Sequence, residues 1–387
     1  MQKQFFTTAT MFAFMLLISP VQAQEGWEER TLIIEEYPSK LKFGVNSADG
    51  LDYIALAHHG MENIVGHASK IIKEDEKKVY VCPPCGVDCH DDKYSEPGTC
   101  PVCGMSLVVE REPSPQTPPR YKIDTTEVLI SSDGVQLGAS YYVPQGLAEP
   151  LPAAVIVHGS APSTRNDVGF FTRMCLNLGF AVLAYDKRGV GESTGRYRPF
   201  NVKESEDIFE ELAADTQAAI RWLRTQKEVD PMRIGLVGGS QAGWIMPLAA
   251  SNLAVVRFMV IFAGTPVSAG EEAYHGRLTG DGGGNGLPIA EADRLLAQYV
   301  GPKGFDPKPI LLRATAKMLW IFGTRDIVIP TNASIAELKR IIEKNNSNHE
   351  IHIIEGANHN FVDSITGEPS PTHFIVSAWL KKHNLIQ

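Results

Sequence analysis

The stretch Arg233-Ile-Gly-Leu-Val-Gly-Gly-Ser240-Gln-Ala-Gly243 decides how this chain is read. A short apolar run meets glycines crowding a serine, and a helical pattern resumes over Gln241–Ser251. Strand, tight turn and helix in that order suit a nucleophile elbow, whose backbone strain is tolerable only among small neighbours. The turn would lift the Ser240 hydroxyl above a sheet. It would also set the Gln241 N–H at a helix start, where partial positive charge favours an oxyanion. The spacing departs from strict G-x-S-x-G, because Ala242 stands in the last position and Gly243 follows. Alanine is small enough for the turn to survive. A serine among glycines is still only weak evidence by itself, so the neighbouring loops matter.

Working outward, Ala153–Val157, Phe180–Ala184, Phe258–Phe262, Met318–Phe322 and Glu350–Ile354 are further apolar runs that read as buried strands. Helical patterns lie between and after them, at Glu206–Gln226, Ser334–Lys344 and Thr372–Lys382. Strands alternating with helices predict an α/β fold with a doubly wound, mostly parallel sheet. In such sheets the chemistry collects at the carboxyl ends of the strands. The run ending at Phe322 leads into Gly323-Thr-Arg-Asp326, and the run ending at Ile354 leads into Glu355-Gly-Ala-Asn-His359. An acid and a histidine therefore follow the serine in the chain order Ser, Asp, His, each just past its own strand. Ser240 needs a base because a free hydroxyl is a poor nucleophile at neutral pH, and His359 can take the proton. Asp326 would fix the imidazole tautomer. The first run exits into His158-Gly-Ser160, a turn expected to supply a second oxyanion donor, the Ser160 N–H, beside that of Gln241. His158 and, after the next strand, Asp186 and Arg188 read as scaffold. Residues 265–315 break the strand pattern and read as a cap inserted over the site, with a glycine run that lacks the Gly-Lys-Ser/Thr of a phosphate loop.

His158-Gly-Ser, Tyr185-Asp-Lys-Arg-Gly, Gly239-Ser-Gln, Asp326 and Gly356-Ala-Asn-His359 together resemble the α/β-hydrolase superfamily, in its esterase, dienelactone-hydrolase and prolyl-oligopeptidase-like branch. The resemblance covers residues 121–387 and says little about substrate. It implies that Ser240 attacks an acyl carbon, that an acyl-enzyme forms, and that water activated by His359 releases the acid. No cofactor is implied for that chemistry. A serine nucleophile disfavours the epoxide-hydrolase and dehalogenase branches, which use aspartate.

The residues before this region carry different signals. Lys3, the apolar Met11–Ile18 and the small-residue exit Val21-Gln-Ala23 predict a signal peptide over 1–23. The apolar run is shorter than the roughly 18 residues of a membrane span, so no span is expected and the chain is expected to be exported, periplasmic or secreted. Residues 24–79 are polar, with an amphipathic helix expected around Leu51–Lys73. Residues 80–108 hold five of the six cysteines, and 109–120 read as a proline-rich linker. Cys82-Pro-Pro-Cys85 and Cys100-Pro-Val-Cys103 are two C-x-x-C knuckles, which can point four thiolates at one metal. A pair of disulfides is the competing reading after export. Cys89 and His90, between the knuckles, are extra ligand candidates, and the soft donors suit zinc or copper. Tyr80-Val-Cys-Pro and Pro97-Gly-Thr-Cys-Pro-Val-Cys-Gly-Met105 resemble the small zinc-ribbon-like heavy-metal-binding domain found beside bacterial metal-export components, which usually has histidine where Cys85 stands.

The chain is 387 residues long with a net charge of −9, so a nucleic-acid partner is not expected. The expected function is an exported serine hydrolase acting on a small-molecule carboxylic ester. The alternatives are a metal-handling or interaction protein with an inactive hydrolase fold, a serine peptidase, and a thioesterase. A metal-handling partner would fit the cysteine cluster.

Overall fold

Leu151–Val157 is buried along its whole length. Successive strand residues face opposite sides of a sheet, so a strand buried at every position is covered on both faces. The computed structural model describes residues 121–386 apart from 252, 282–285 and 346–347. Ahead of these it describes 27–32, 41–46, 53–56, 64–67, 80–81, 93–96, 98, 101 and 107–109. The chain divides into two compact units, Met1–Lys77 and Lys78–Gln387.

In the first unit, β1 (Trp27–Leu32), β2 (Leu41–Asn46), β3 (Tyr53–Leu56) and β4 (Ile64–His67) form an antiparallel sheet in sequential order. The helix expected over Leu51–Lys73 is therefore corrected to two strands. Ile54, Ile64 and Val65 are β-branched, and Gly60 and Gly66 are poor helix residues, so the local chemistry favours extended chain over the helical spacing of the apolar positions.

The second unit begins with β5 (Tyr80–Val81), β6 (Lys93–Tyr94) and β7 (Val108–Val109), a three-stranded sheet with β5 in the middle. The proposed metal ligands Cys82, Cys85, Cys89, His90, Cys100 and Cys103 lie outside the described residues, as do the signal peptide and residues 110–120. Among the described residues no cluster of three histidine, cysteine or carboxylate side chains could hold a metal, and no helix is long and apolar enough to cross a membrane.

The main sheet contains β8 (Ile123–Ser132), β9 (Val135–Pro144), β10 (Leu151–Val157), β11 (Ala181–Tyr185), β12 (Val229–Gly239), β13 (Val256–Phe262), β14 (Lys317–Gly323) and β15 (His349–Ile354). Its order is β15-β14-β13-β12-β10-β11-β9-β8, parallel from β15 to β11, with β9 and β8 antiparallel at one edge. That hairpin makes the sheet mixed. Its two-residue turn is Asp133-Gly134, both with positive φ (35° and 78°), the conformation an Asp-Gly pair adopts most readily. After β10 the chain moves to one side (β11), and β12 then returns to the other side of β10. The crevice between the ends of β10 and β12 is thus the switch point where open α/β sheets bind ligands.

The helices are α1 (Gly169–Asn177), α2 (Ser205–Leu223), α3 (Ala242–Ala250), α4 (Ala269–Thr279), α5 (Ile289–Leu296), α6 (Lys308–Leu311), α7 (Thr331–Asn345) and α8 (Thr372–Lys382). Helices α4 to α6 fill the interval between β13 and β14 where the cap is expected. Ser268 starts α4 with a capping box, its side chain and that of Glu271 each taking up the other's backbone N–H.

Candidate active site

Ser240 sits at the switch point in a left-handed conformation, φ +56°. An L-residue rarely adopts it, and such strain survives only where the surroundings over-determine it. The Ser240 N–H donates to Phe262 O at 2.8 Å, and its own carbonyl accepts from Gly243 N–H at 2.8 Å. Close packing explains the neighbouring glycines. A Cβ on Gly238 would lie 2.3 Å from Val157 O and 2.8 Å from the Ala242 Cβ, and one on Gly243 would lie 2.8 Å from the Gly264 Cα. Ala242 fills the position where the strict motif has glycine, and it is fully buried.

Asp326 follows β14 and is 0% exposed. Its Oδ1 accepts the backbone N–H groups of Val328 (2.8 Å) and Ile329 (3.2 Å), which leaves Oδ2 for His359 Nδ1 at 2.8 Å. Burial works to lower the His359 pKa. The charge and hydrogen bond of Asp326, with smaller contributions from Asp281 and Glu272, outweigh it and raise the pKa above the ordinary histidine value. His359 Nε2 makes no hydrogen bond among the described residues, so it is available to take a proton. Among the described residues no hydrogen bond joins the Ser240 hydroxyl to His359, a gap that free enzymes commonly close only in the substrate complex.

The His158-Gly-Ser160 turn reaches the same place. A Cβ on Gly159 would meet the Ser240 Cβ at 3.6 Å. Among the described residues the N–H groups of Ser160 and Gln241 make no hydrogen bond, so both can donate to an incoming oxygen. His158 is 3% exposed and packs edge-on to Tyr185. Burial, aided by the Lys187 charge, pushes its pKa down to about 3, so it stays neutral within the scaffold. Asp186 accepts from the N–H groups of Arg165 and Glu192, each at 2.8 Å, and Arg188 grips Asp215 through two 2.7 Å bonds. Both are structural contacts.

A cavity of about 340 Å³ opens over Ser240, walled by Ser160, Phe200, Gln241, Trp244 and, from α4, Glu272. The Glu272 carboxyl has no hydrogen-bond or ion-pair partner among the described residues. Burial first, and then the nearby Asp281 charge, push it up to about 8, so it holds its proton at neutral pH. Its position was not legible in the sequence, where a carboxylate in the first turn of a capped helix reads as a solvated end.

Residues 133–288 match the model of the X-Pro dipeptidyl-peptidase (S15) family. The match includes the Ser240 turn and α4 but ends before Asp326 and His359. An uncharacterized protein of Mycobacterium tuberculosis is 36% identical over 115 residues, which is 29% of this chain and 36% of that protein. The chain thus spans little more than a third of the length of the first curated relatives it matches. A Synechocystis protein provisionally named a carboxymethylenebutenolidase is 25% identical over 253 residues, 62% of this chain and 87% of that protein. Among solved structures, an esterase from Pyrococcus furiosus superposes with a TM-score of 0.50 at 20% identity, covering 67% of this chain and 91% of that one. The chain shares the α/β-hydrolase fold with it.

Proposed function

We propose that this chain is a serine hydrolase of carboxylic esters, with Ser240 as nucleophile, His359 as general base and Asp326 as the group that orients the base. The observation that carries this reading is the 2.8 Å bond from His359 Nδ1 to a buried Asp326, at the sheet edge where Ser240 stands in a strained turn. On this reading His359 Nε2 takes the Ser240 proton as Oγ attacks the acyl carbon. The N–H groups of Ser160 and Gln241 stabilise the tetrahedral oxyanion. The imidazolium then protonates the departing alkoxide and leaves an acyl-enzyme. Water, losing its proton to His359, attacks that ester, and Ser240 leaves with the proton restored.

A fluorophosphonate probe tests the reading. Wild-type protein should be labelled and Ser240→Ala should not, and equal labelling of the two would overturn it. The family match supports a second reading, a peptidase. Cleavage of an Xaa-Pro anilide together with inertness to 4-nitrophenyl acetate would favour that one. Two further proposals concern the amino-terminal region: removal of residues 1–23 on export, and a metal held by Cys82, Cys85, Cys100 and Cys103, with Cys89 and His90 as additional donors. Four thiolates in two knuckles suit zinc, with copper as the softer alternative.

A further inference from the structure

The loop after β10 is held by its carbonyl oxygens. The Lys187 ammonium donates to Gly159 O and, at 2.8 Å, to Ala161 O. Between these, Ser160 O accepts the Tyr197 hydroxyl at 2.7 Å, and the Lys187 N–H donates to Ser163 O at 3.1 Å. The Lys187 ammonium also lies 5.6 Å from the centre of the Tyr197 ring, within cation–π range. Three successive carbonyls are thus drawn toward the segment that follows β11.

The direction of those carbonyls has a consequence for the N–H groups. A trans peptide is planar, and its C=O and N–H point in opposite directions. Gly159 O and the Ser160 N–H belong to one peptide. Fixing the oxygen on Lys187 therefore aims the N–H away from Lys187. The turn also lies against Ser240: a Cβ on Gly159 would sit 3.6 Å from the Ser240 Cβ, and Ser160 and Ser240 line the same cavity.

We propose that Lys187 is a positioning residue for the oxyanion hole, its ammonium orienting and polarising the Gly159–Ser160 peptide so that the Ser160 N–H is presented beside Ser240. The proposal rests on reading Ser240 as the nucleophile. A cation on the carbonyl oxygen withdraws electron density from the peptide and strengthens its N–H as a donor, as in any chain of polarised hydrogen bonds. The arrangement is costly for the fold. Lys187 is 2% exposed, and among the described residues no carboxylate lies within ion-pair range of it. Burial pushes its pKa down to about 7. The groups near it do not offset the charge: His158 is neutral, and the adjacent Asp186 carboxylate is occupied by backbone N–H groups and Arg165.

The test compares wild type with Lys187→Met, Lys187→Arg and Tyr197→Phe on 4-nitrophenyl acetate, with Ser240→Ala as the blank. Removing an oxyanion donor costs about 100- to 1,000-fold in kcat. Misaiming one of two should cost Lys187→Met roughly 10- to 100-fold in kcat with KM nearly unchanged. Lys187→Arg, which keeps the cation, should recover most of that loss. The ratio of wild type to Lys187→Met should narrow as pH rises past 7 and Lys187 loses its proton, while the ratio of Lys187→Arg to Lys187→Met stays constant. Tyr197→Phe removes only the Ser160 O contact and should cost less. If Lys187→Met matches wild type in kcat, or raises KM alone, the proposal fails. If Lys187→Met does not fold, the Arg variant decides: a kcat as low as that of the blank, with an intact thermal midpoint, overturns the proposal. Should Ser240→Ala be as active as wild type, the hydrolase reading falls and takes this one with it.

Discussion

Replacing Asp326 by asparagine should remove the function of His359 while leaving its position intact. The side chain is fully buried, and three groups address it: the N–H of Val328 at 2.8 Å, the N–H of Ile329 at 3.2 Å, and His359 Nδ1 at 2.8 Å. Asparagine offers one acceptor oxygen and one NH2, so two orientations compete. If the oxygen stays on the two backbone donors, the NH2 donates to His359 Nδ1. The imidazole must then carry its proton on Nε2, where it cannot accept one from Ser240. If the amide flips, the NH2 faces two backbone donors, and two buried N–H groups lose their acceptor at about 1–3 kcal/mol each. The first orientation therefore wins by at least roughly 2 kcal/mol, a population ratio of about 30. The wrong tautomer alone should lower kcat about 30-fold, and loss of the carboxylate charge that supports the imidazolium should carry the total toward the roughly 10,000-fold typical of this substitution in a Ser-His-Asp triad.

The acid limb of the pH profile gives an independent reading of the same substitution. His359 acts as a base only when neutral, so activity rises as pH climbs through its pKa. In wild type that pKa lies above the ordinary histidine value, because the Asp326 charge and hydrogen bond overcome burial. Without the carboxylate charge, burial dominates and the limb of the residual activity should move to lower pH. The assay is kcat on 4-nitrophenyl acetate from pH 5 to 9, normalised to fluorophosphonate-reactive sites. An Asp326→Asn enzyme that retains more than a tenth of wild-type kcat at pH 8, or whose acid limb stays in place, would refute the tautomer argument.

The strained turn predicts a stability difference that is independent of catalysis. A left-handed conformation costs an L-residue about 1–2 kcal/mol. Glycine escapes that cost but loses about 0.4–1 kcal/mol to its freer unfolded state. Ser240→Gly should therefore exceed Ser240→Ala by on the order of 1 kcal/mol in urea unfolding, and equal midpoints would mean that the turn stores no strain. For the cysteine knuckles, protein purified without chelator should carry about one metal ion per chain by elemental analysis. Mass spectrometry showing two disulfides and no metal would remove that site.

How far the sequence could be read depended on what kind of contact held each feature. Parallel strands covered on both faces are apolar at nearly every position, so the runs at 153–157, 258–262 and 318–322 lie inside buried strands, and α8 has the expected bounds Thr372–Lys382. The run at 350–354 also lies inside a strand, but the expectation that it is buried is corrected: β15 is an edge strand that carries Glu350 and His352 and leaves His352 and Ile353 exposed. Because those strands are parallel, residues just past their carboxyl ends must share one edge, and the Asp326–His359 bond follows from topology with little further information. The β8–β9 hairpin escaped that reading although Asp133-Gly134 marked its turn, because its partly exposed strand β8 lacks an apolar run. Over residues 51–73 an apparent helical spacing hid two short strands, since with apolar residues this sparse either period can be fitted. The Lys187 clamp is harder to see from sequence for a deeper reason. Its acceptors are backbone carbonyls, which every residue owns and no letter distinguishes. Nothing in Gly159-Ser160-Ala161 says which way its peptides face. That direction is set by a lysine 28 positions away, and it decides where the Ser160 N–H points.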